Sequence, residues 1–299
     1  MTTTVTATET DFLEACRVRI EAELRSRLTT SRAGDTLSEA MAYSVLGGGK
    51  RIRPALCLGA ALAVGQDKDK ALVPACAVEL IHAYSLIHDD LPAMDDDDLR
   101  RGRATTHIAY GEAIAVLAGD ALQALAFEWL SESPGLSDNV LLRMIRTLSR
   151  ASGHSGMVGG QAIDLAAVGQ DLAIAELETM HRRKTGALIE ASVMLGALTS
   201  QHVAQERLEA LSDYARALGL AFQVQDDLLD VEGETVVIGK PRGSDAARAK
   251  PTYPSLLGVD GARHHLTRLL QDARGSLADF GPEADALREI ADFVAARTH

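Results

Sequence analysis

Cysteine is scarce in this chain: Cys16, Cys57 and Cys76 are widely spaced, form no CxxC pair and have no His-rich partner segment. That argues against a disulfide framework and a zinc site, and it fits a reducing compartment. Aromatic residues make up only 4% and β-branched runs are few, while Ala and Leu dominate an apolar fraction of 46%. Helix formers therefore carry the chain, and an all-α fold is the expectation. Positive charge is also short, with 30 Lys and Arg against 42 Asp and Glu and a net charge of −12, which argues against a groove for nucleic-acid backbones. The longest small and apolar stretch, 55 to 65, falls below the roughly 20 residues of a membrane span. Residues 1 to 10 are Thr-rich and acidic, lack the basic start and apolar run of a secretory signal, and read as a disordered tail. The expectation is a soluble, cytoplasmic protein with no integral membrane segment.

What the chain does have is concentrated aspartate. Asp89, Asp90 and Asp95 lie in HDDLPAMDDDD, which holds six Asp between 89 and 98, and Asp226, Asp227 and Asp230 lie in FQVQDDLLD. Each cluster follows an apolar stretch that reads as helix. Like charges one helical turn apart repel by roughly 0.2–0.5 kcal/mol even when exposed, and more when partly buried. A hard divalent cation relieves that repulsion, and Mg²⁺ takes one or two carboxylates together with waters and substrate phosphate oxygens. The two clusters therefore point to a Mg²⁺-bridged phosphate site.

Apolar periodicity and Gly/Pro punctuation place helices at about 11–28, 36–46, 53–65, 70–91, 111–131, 138–152, 155–168, 173–199, 204–231 and, in pieces, 260–298. Residues 11 to 299 read as one domain. The polar, Gly- and Pro-containing stretch 233–254 reads as a lid over a charged ligand. Asp226 and Asp230, four apart, fall about 40° from each other on one helix face. His82, Ser85 and Asp89 form a polar stripe at i, i+3 and i+7 on an otherwise apolar helix. Alone, His82 reads as a hydrogen-bonded core residue; beneath the acidic cluster it reads as part of a site. Pro92 ends that helix, so Asp95 arrives from an irregular turn.

Basic residues flank the acidic ones. GGGKRIRP (47–54) offers Lys50, Arg51 and Arg53, and LRRGR (99–103) puts Arg100 and Arg101 directly after the aspartates. Arg forks with Lys point charges suit diphosphate recognition. GGGK is no Walker loop, because the final GK[ST] and a preceding strand are missing.

These segments, together with GGQAIDL (159–165), HRRKTGALI (181–189), the GK at 239–240 and KPTYP, resemble the short-chain trans-prenyltransferases across nearly the whole chain after residue 11, and most closely the bacterial farnesyl diphosphate synthases among them. The resemblance implies an all-helical isoprenoid synthase fold, a homodimer, and a central cavity with the acidic motifs on opposing helices. It implies that Asp89, Asp90 and Asp95, with Asp226, Asp227 and Asp230, hold three Mg²⁺ ions. Arg100, Lys184, Lys240 and Lys250 would bind the allylic diphosphate, dimethylallyl or geranyl. Lys50, Arg53, His82 and Arg101 would bind isopentenyl diphosphate, and Thr185 and Gln223 would flank the allylic cation. Asp89, Asp95, Asp226 and Lys184 join those two as the catalytic set. Ala249-Lys250-Pro251 departs from the Gly-Lys-Ser or Gly-Lys-Ala run of many relatives.

Tyr84 lies five residues before Asp89, about 7.5 Å back along the helix, where its ring can floor a tunnel. In similar enzymes an aromatic here, with Ser85 beside it and the Pro92-Ala93 insertion, goes with a fifteen-carbon product; ten- and twenty-carbon products stay open. A terpene cyclase would need no GGGKRIRP pocket, and a non-catalytic partner subunit would have lost some of these ligands.

Overall fold

A computed structural model describes residues 11–30, 35–170, 172–232 and 250–297. The tail expected at 1–10, most of the expected lid (233–249) and Lys240 lie outside the described residues.

The described chain is helical apart from one two-residue hairpin. In order it forms α1 (Asp11–Thr30), α2 (Thr36–Val45), α3 (Ile52–Ala63), α4 (Leu72–Asp89), β1 (Leu99–Arg100), β2 (Arg103–Ala104), α5 (Thr106–Tyr110), α6 (Glu112–Ser131), α7 (Asp138–Ser152) and α8 (Met157–Ala167). There follow α9 (Ile174–His181), a π-helical turn (Arg182–Gly186), α10 (Ala187–Ala197), α11 (Gln205–Glu232), α12 (Tyr253–Ser276) and α13 (Asp285–Ala296).

Local chemistry sets several of these starts. Asp35 caps α2, accepting the Ser38 N–H at 2.7 Å. Thr252 and Ser255 form a reciprocal capping box at α12, with proline in its first turn. The helix thus begins at Tyr253, inside the stretch expected to be loop to 254, and it kinks at Gly258.

α4 is apolar nearly all round, as a helix surrounded by others must be. It packs against α3, α6 and α10, while α11 lies along α10 and α12. Leu80, Ile81, Leu56 and Leu122 are fully buried there, each contributing about 1.5–3 kcal/mol of transfer free energy. By length and composition α4, with its leading turn, and α6 are each long and apolar enough to cross a bilayer. The stretch 55–65 is thus not the longest apolar segment, although a core helix passes the same test of length and composition. Burial in the core accounts for α4, whereas α6 keeps Val116 and Leu117 exposed at 40% and 51%.

Candidate active site

The first acidic motif sits where α4 stops. Pro92 ends the helix, and the chain curls back so that the Asp95 N–H donates to the Asp89 carbonyl at 2.8 Å. Asp89 and Asp95 are thereby neighbours despite six residues of separation. Asp90 turns the other way. It is 3% exposed and is gripped by Arg100, whose Nε lies 2.9 Å from both carboxylate oxygens and whose Nη2 lies 2.6 Å from Oδ1.

The grip depends on the hairpin. β1 and β2 are joined by Arg101-Gly102, both with positive φ (53° and 73°), the backbone of a tight hairpin turn. Arg100 thus reaches Asp90 while Arg101 donates to the Gly48 carbonyl. Gly49 has φ 131°, and a Cβ there would meet the Arg101 Nη1 at 2.6 Å. Glycine at 49 therefore makes room for that guanidinium as well as permitting the turn.

Arg51, at φ 54°, is buried and donates to Glu79 at 2.6 Å and to the Val45 carbonyl at 2.7 Å. It anchors the segment and is not a free ligand. Arg53 instead lines a cavity of about 430 Å³ with His82, Tyr84, Asp89, Lys184 and Thr185. Its Nε is buried and finds no partner among the described residues, a donor suited to an anion. Burial holds His82 well below its ordinary value, and Arg53, Arg101, Arg100 and Arg51 push it the same way, so it is a neutral imidazole. Lys50 lies over the Phe293 ring at 5.8 Å. Burial, with Arg297 and Arg101, lowers its ammonium to about 8, against the pull of Asp226.

On α11, Asp226 pairs with Arg297 at 2.9 Å. Enclosure raises its carboxyl, opposed by Arg297, Lys50 and Arg53; the second motif and the GGGKRIRP cations share one electrostatic neighbourhood. Asp227, one residue on, is buried and accepts the Tyr253 N–H at 2.8 Å, tying α11 to the start of α12. Asp230 is half-buried. Arg297, which the sequence does not single out, stacks on Phe222 at 4.2 Å, and its carbonyl accepts from Gln225.

The π turn brings the two sides together. A π turn carries an extra residue and is frequent at functional sites; here it presents Lys184 and Thr185 within the helix expected to run unbroken over 173–199. Thr185 donates to the Gln223 side chain on α11. Lys184 donates to Asp164 on α8 at 2.6 Å. Gly160, one turn before Asp164, makes the approach possible, since a Cβ there would fall 2.5 Å from the Lys184 Cα. Lys250 reaches in from the other edge, 3.5 Å from Asp95 and 3.7 Å from Asp164. Asp164 is therefore the anchor of two lysines. It was legible only as a carboxylate between Ile163 and Leu165 in GGQAIDL.

Asp89 is the electrostatically strained member. Burial raises its carboxyl to about 6, with Asp95 and Asp90 adding to the rise and Lys184 and Arg100 opposing it. A bound cation would relieve this. Among the described residues no three His, Cys, Asp or Glu side chains are grouped so as to hold a metal ion by themselves; Mg²⁺ takes one or two carboxylates and completes its octahedron with water and phosphate oxygens. The same cavity is also lined by the apolar side chains of Met94, Met157 and Leu165.

A family model described as polyprenyl synthetase matches residues 34–282. The farnesyl diphosphate synthase of Escherichia coli is 51% identical over 264 residues, 87% of this chain and 88% of the relative. The chloroplastic geranylgeranyl pyrophosphate synthase of Catharanthus roseus is 45% identical over 264 residues, 87% and 74% respectively. Among solved structures, an FPP/GFPP synthase from Zymomonas mobilis superposes with a TM-score of 0.86 at 41% identity, covering 96% of this chain and 99% of that one.

Proposed function

The chain belongs to the polyprenyl synthetase family and is a prenyltransferase, and from that premise we propose that it condenses isopentenyl diphosphate with dimethylallyl and then geranyl diphosphate, releasing farnesyl diphosphate. The observation that carries this reading is the cavity itself. Asp89, Lys184 and Arg53 line one hollow together with Met94, Met157 and Leu165, charged and apolar side chains side by side as a diphosphate head on a hydrocarbon tail requires.

When bound, Mg²⁺ neutralises charge on the leaving diphosphate. Asp89 and Asp95 on one side, and Asp226 and Asp230 on the other, are the carboxylates that would hold it, as three ions in this reading. Asp90 and Asp227, committed to Arg100 and to the Tyr253 N–H, support them. Arg100, Lys184 and Lys250, with Lys240, bind the allylic diphosphate. Lys50, Arg53, Arg101 and neutral His82 bind isopentenyl diphosphate. As the allylic C–O bond breaks, these fixed cations meet the developing negative charge in a site shielded from water. The Thr185 hydroxyl spends its proton on Gln223, which leaves its lone pairs for the allylic cation. The isopentenyl double bond attacks that cation, a carbon–carbon bond forms, and the proton lost goes to the departing diphosphate.

Residues 11–299 act as one catalytic unit in a soluble, cytoplasmic enzyme. Ile108, Val116, Leu117 and Leu142 are all more than a third exposed, an apolar surface that supports pairing with a second copy. The test is incubation with isopentenyl and dimethylallyl diphosphates and Mg²⁺, with and without chelator, followed by chromatography. Chelator-sensitive farnesyl diphosphate is expected. Consumption of an allylic diphosphate alone would favour a cyclase, and no turnover would favour a non-catalytic subunit.

A further inference from the structure

His88 stands immediately before the first metal motif and has no part in the mechanism above, yet it is held more tightly than a spectator would be. It shares a face of α4 with Tyr84, four residues earlier, and the two rings meet edge to face with centroids 5.8 Å apart at 74°. On its other side the His88 Nε2 lies 3.1 Å from the Val116 carbonyl of α6. Since a carbonyl only accepts, Nε2 is the protonated nitrogen of this ring.

The ring occupies a socket that exists because residue 119 is glycine. A Cβ on Gly119 would come within 2.6 Å of the His88 Cδ2 and closer still to Nε2. At Gly160 and Gly196 the added atom would strike backbone; at Gly119 it meets only an imidazole, the far end of a side chain that can rotate. Tyr84 and His88 both line the 430 Å³ cavity, and Tyr84 is 5% exposed. The Tyr84 ring is thus braced by His88, which is seated on α6 through Gly119 and the Val116 carbonyl.

We infer that His88 and its Gly119 socket are specificity-determining: together they fix the Tyr84 ring across the tunnel and so set where chain elongation stops. His88 is a positioning residue in this scheme, touching Tyr84 and not the reacting carbons. The inference rests on the prenyltransferase reading and adds two residues to it.

The two substitutions act in opposite directions, which makes the test sharp. His88→Ala removes the brace and opens space beside Tyr84, so the ratio of twenty- to fifteen-carbon product rises about tenfold, the discrimination that one or two methylenes command in an apolar pocket. Gly119→Ala expels the imidazole from its socket into the cavity, and ten-carbon geranyl diphosphate accumulates. In the double variant the new Cβ has no ring to displace, so the product spectrum follows His88→Ala alone. That non-additivity is what contact between the two sites requires. Thermal midpoints are recorded alongside, and His88→Phe, which keeps a ring in the socket without the hydrogen bond, restores the fifteen-carbon stop. The inference is overturned if both single variants keep the wild-type product ratio, if the double variant sums the two effects, or if His88→Phe behaves like His88→Ala. Failure of the wild-type protein to consume isopentenyl diphosphate would instead overturn the functional reading on which it rests.

Discussion

Lys184 donates to the buried Asp164 at 2.6 Å, and this one contact decides where the ammonium points. Burial alone would raise the Asp164 carboxyl, but Lys184, by charge and by hydrogen bond, and Lys250 hold it below its ordinary value. A depressed carboxyl stabilises the fold above its unfolded pKa, and that contribution is lost as pH falls through the folded value. Asp164→Asn keeps the shape and removes the charge. The expected outcome is a fall in kcat of about tenfold to a hundredfold, equivalent to a charged hydrogen bond of roughly 1.5–3 kcal/mol, with a lower Tm. Steady-state kinetics and a thermal melt check this; wild-type values in both would remove Asp164 as the anchor.

The Lys50 ammonium, lowered to about 8 mainly by burial, loses its charge just above neutrality. For a group that binds a diphosphate as a cation, kcat/KM for isopentenyl diphosphate should fall as pH rises through about 8, since that parameter reports the free enzyme. Lys50→Arg keeps its charge throughout this range. Its profile should be flat where the wild type declines. Parallel declines would assign the titration to another group.

Asp89 is raised to about 6, so it becomes largely protonated about one pH unit below that, where a proton competes with a cation for the carboxylate. The Mg²⁺ concentration giving half-maximal activity should climb as pH drops below 6, by up to about tenfold per pH unit for one competing proton. Above that value the curve should level off. A Mg²⁺ titration at a series of pH values reads this directly, and a requirement independent of pH would separate Asp89 from the metal.

Tyr84→Ala should lengthen the product beyond fifteen carbons, because it removes a ring from the wall of the cavity that Asp89 also lines. Chromatography of the prenyl chains decides it. An unchanged spectrum would leave Tyr84 as ordinary packing.

Sequence periodicity was a good guide to α4 and α11, because helices buried on most sides repeat their apolar residues with little interruption. It also put Asp226 and Asp230 on one face with Asp227 flanking them, but it did not show that Asp227 accepts the Tyr253 N–H. The π turn escaped it. Arg182–Gly186 has the composition of any helical stretch, and only the folded structure shows it packed so closely on Gly160 that a Cβ there would strike the Lys184 backbone. The same applies to Arg51 and Arg53: two arginines two apart look alike until Glu79 on α4 claims the first. The start of α12 was missed: Gly and Pro nearby made the stretch to 254 read as loop, although Thr252 and Ser255 cap the helix. Arg297 carried no signal at all, for only tertiary packing brings the end of α13 onto Asp226.

The central claim is that the two aspartate motifs jointly hold Mg²⁺ against a diphosphate. Calorimetric titration of Mg²⁺ into the protein with inorganic diphosphate present tests it most directly. The account predicts that Asp89→Ala and Asp226→Ala each weaken the uptake by about tenfold or more, the loss of a charge-assisted contact of roughly 1.5–3 kcal/mol. Uptake indistinguishable from wild type in both variants would contradict it.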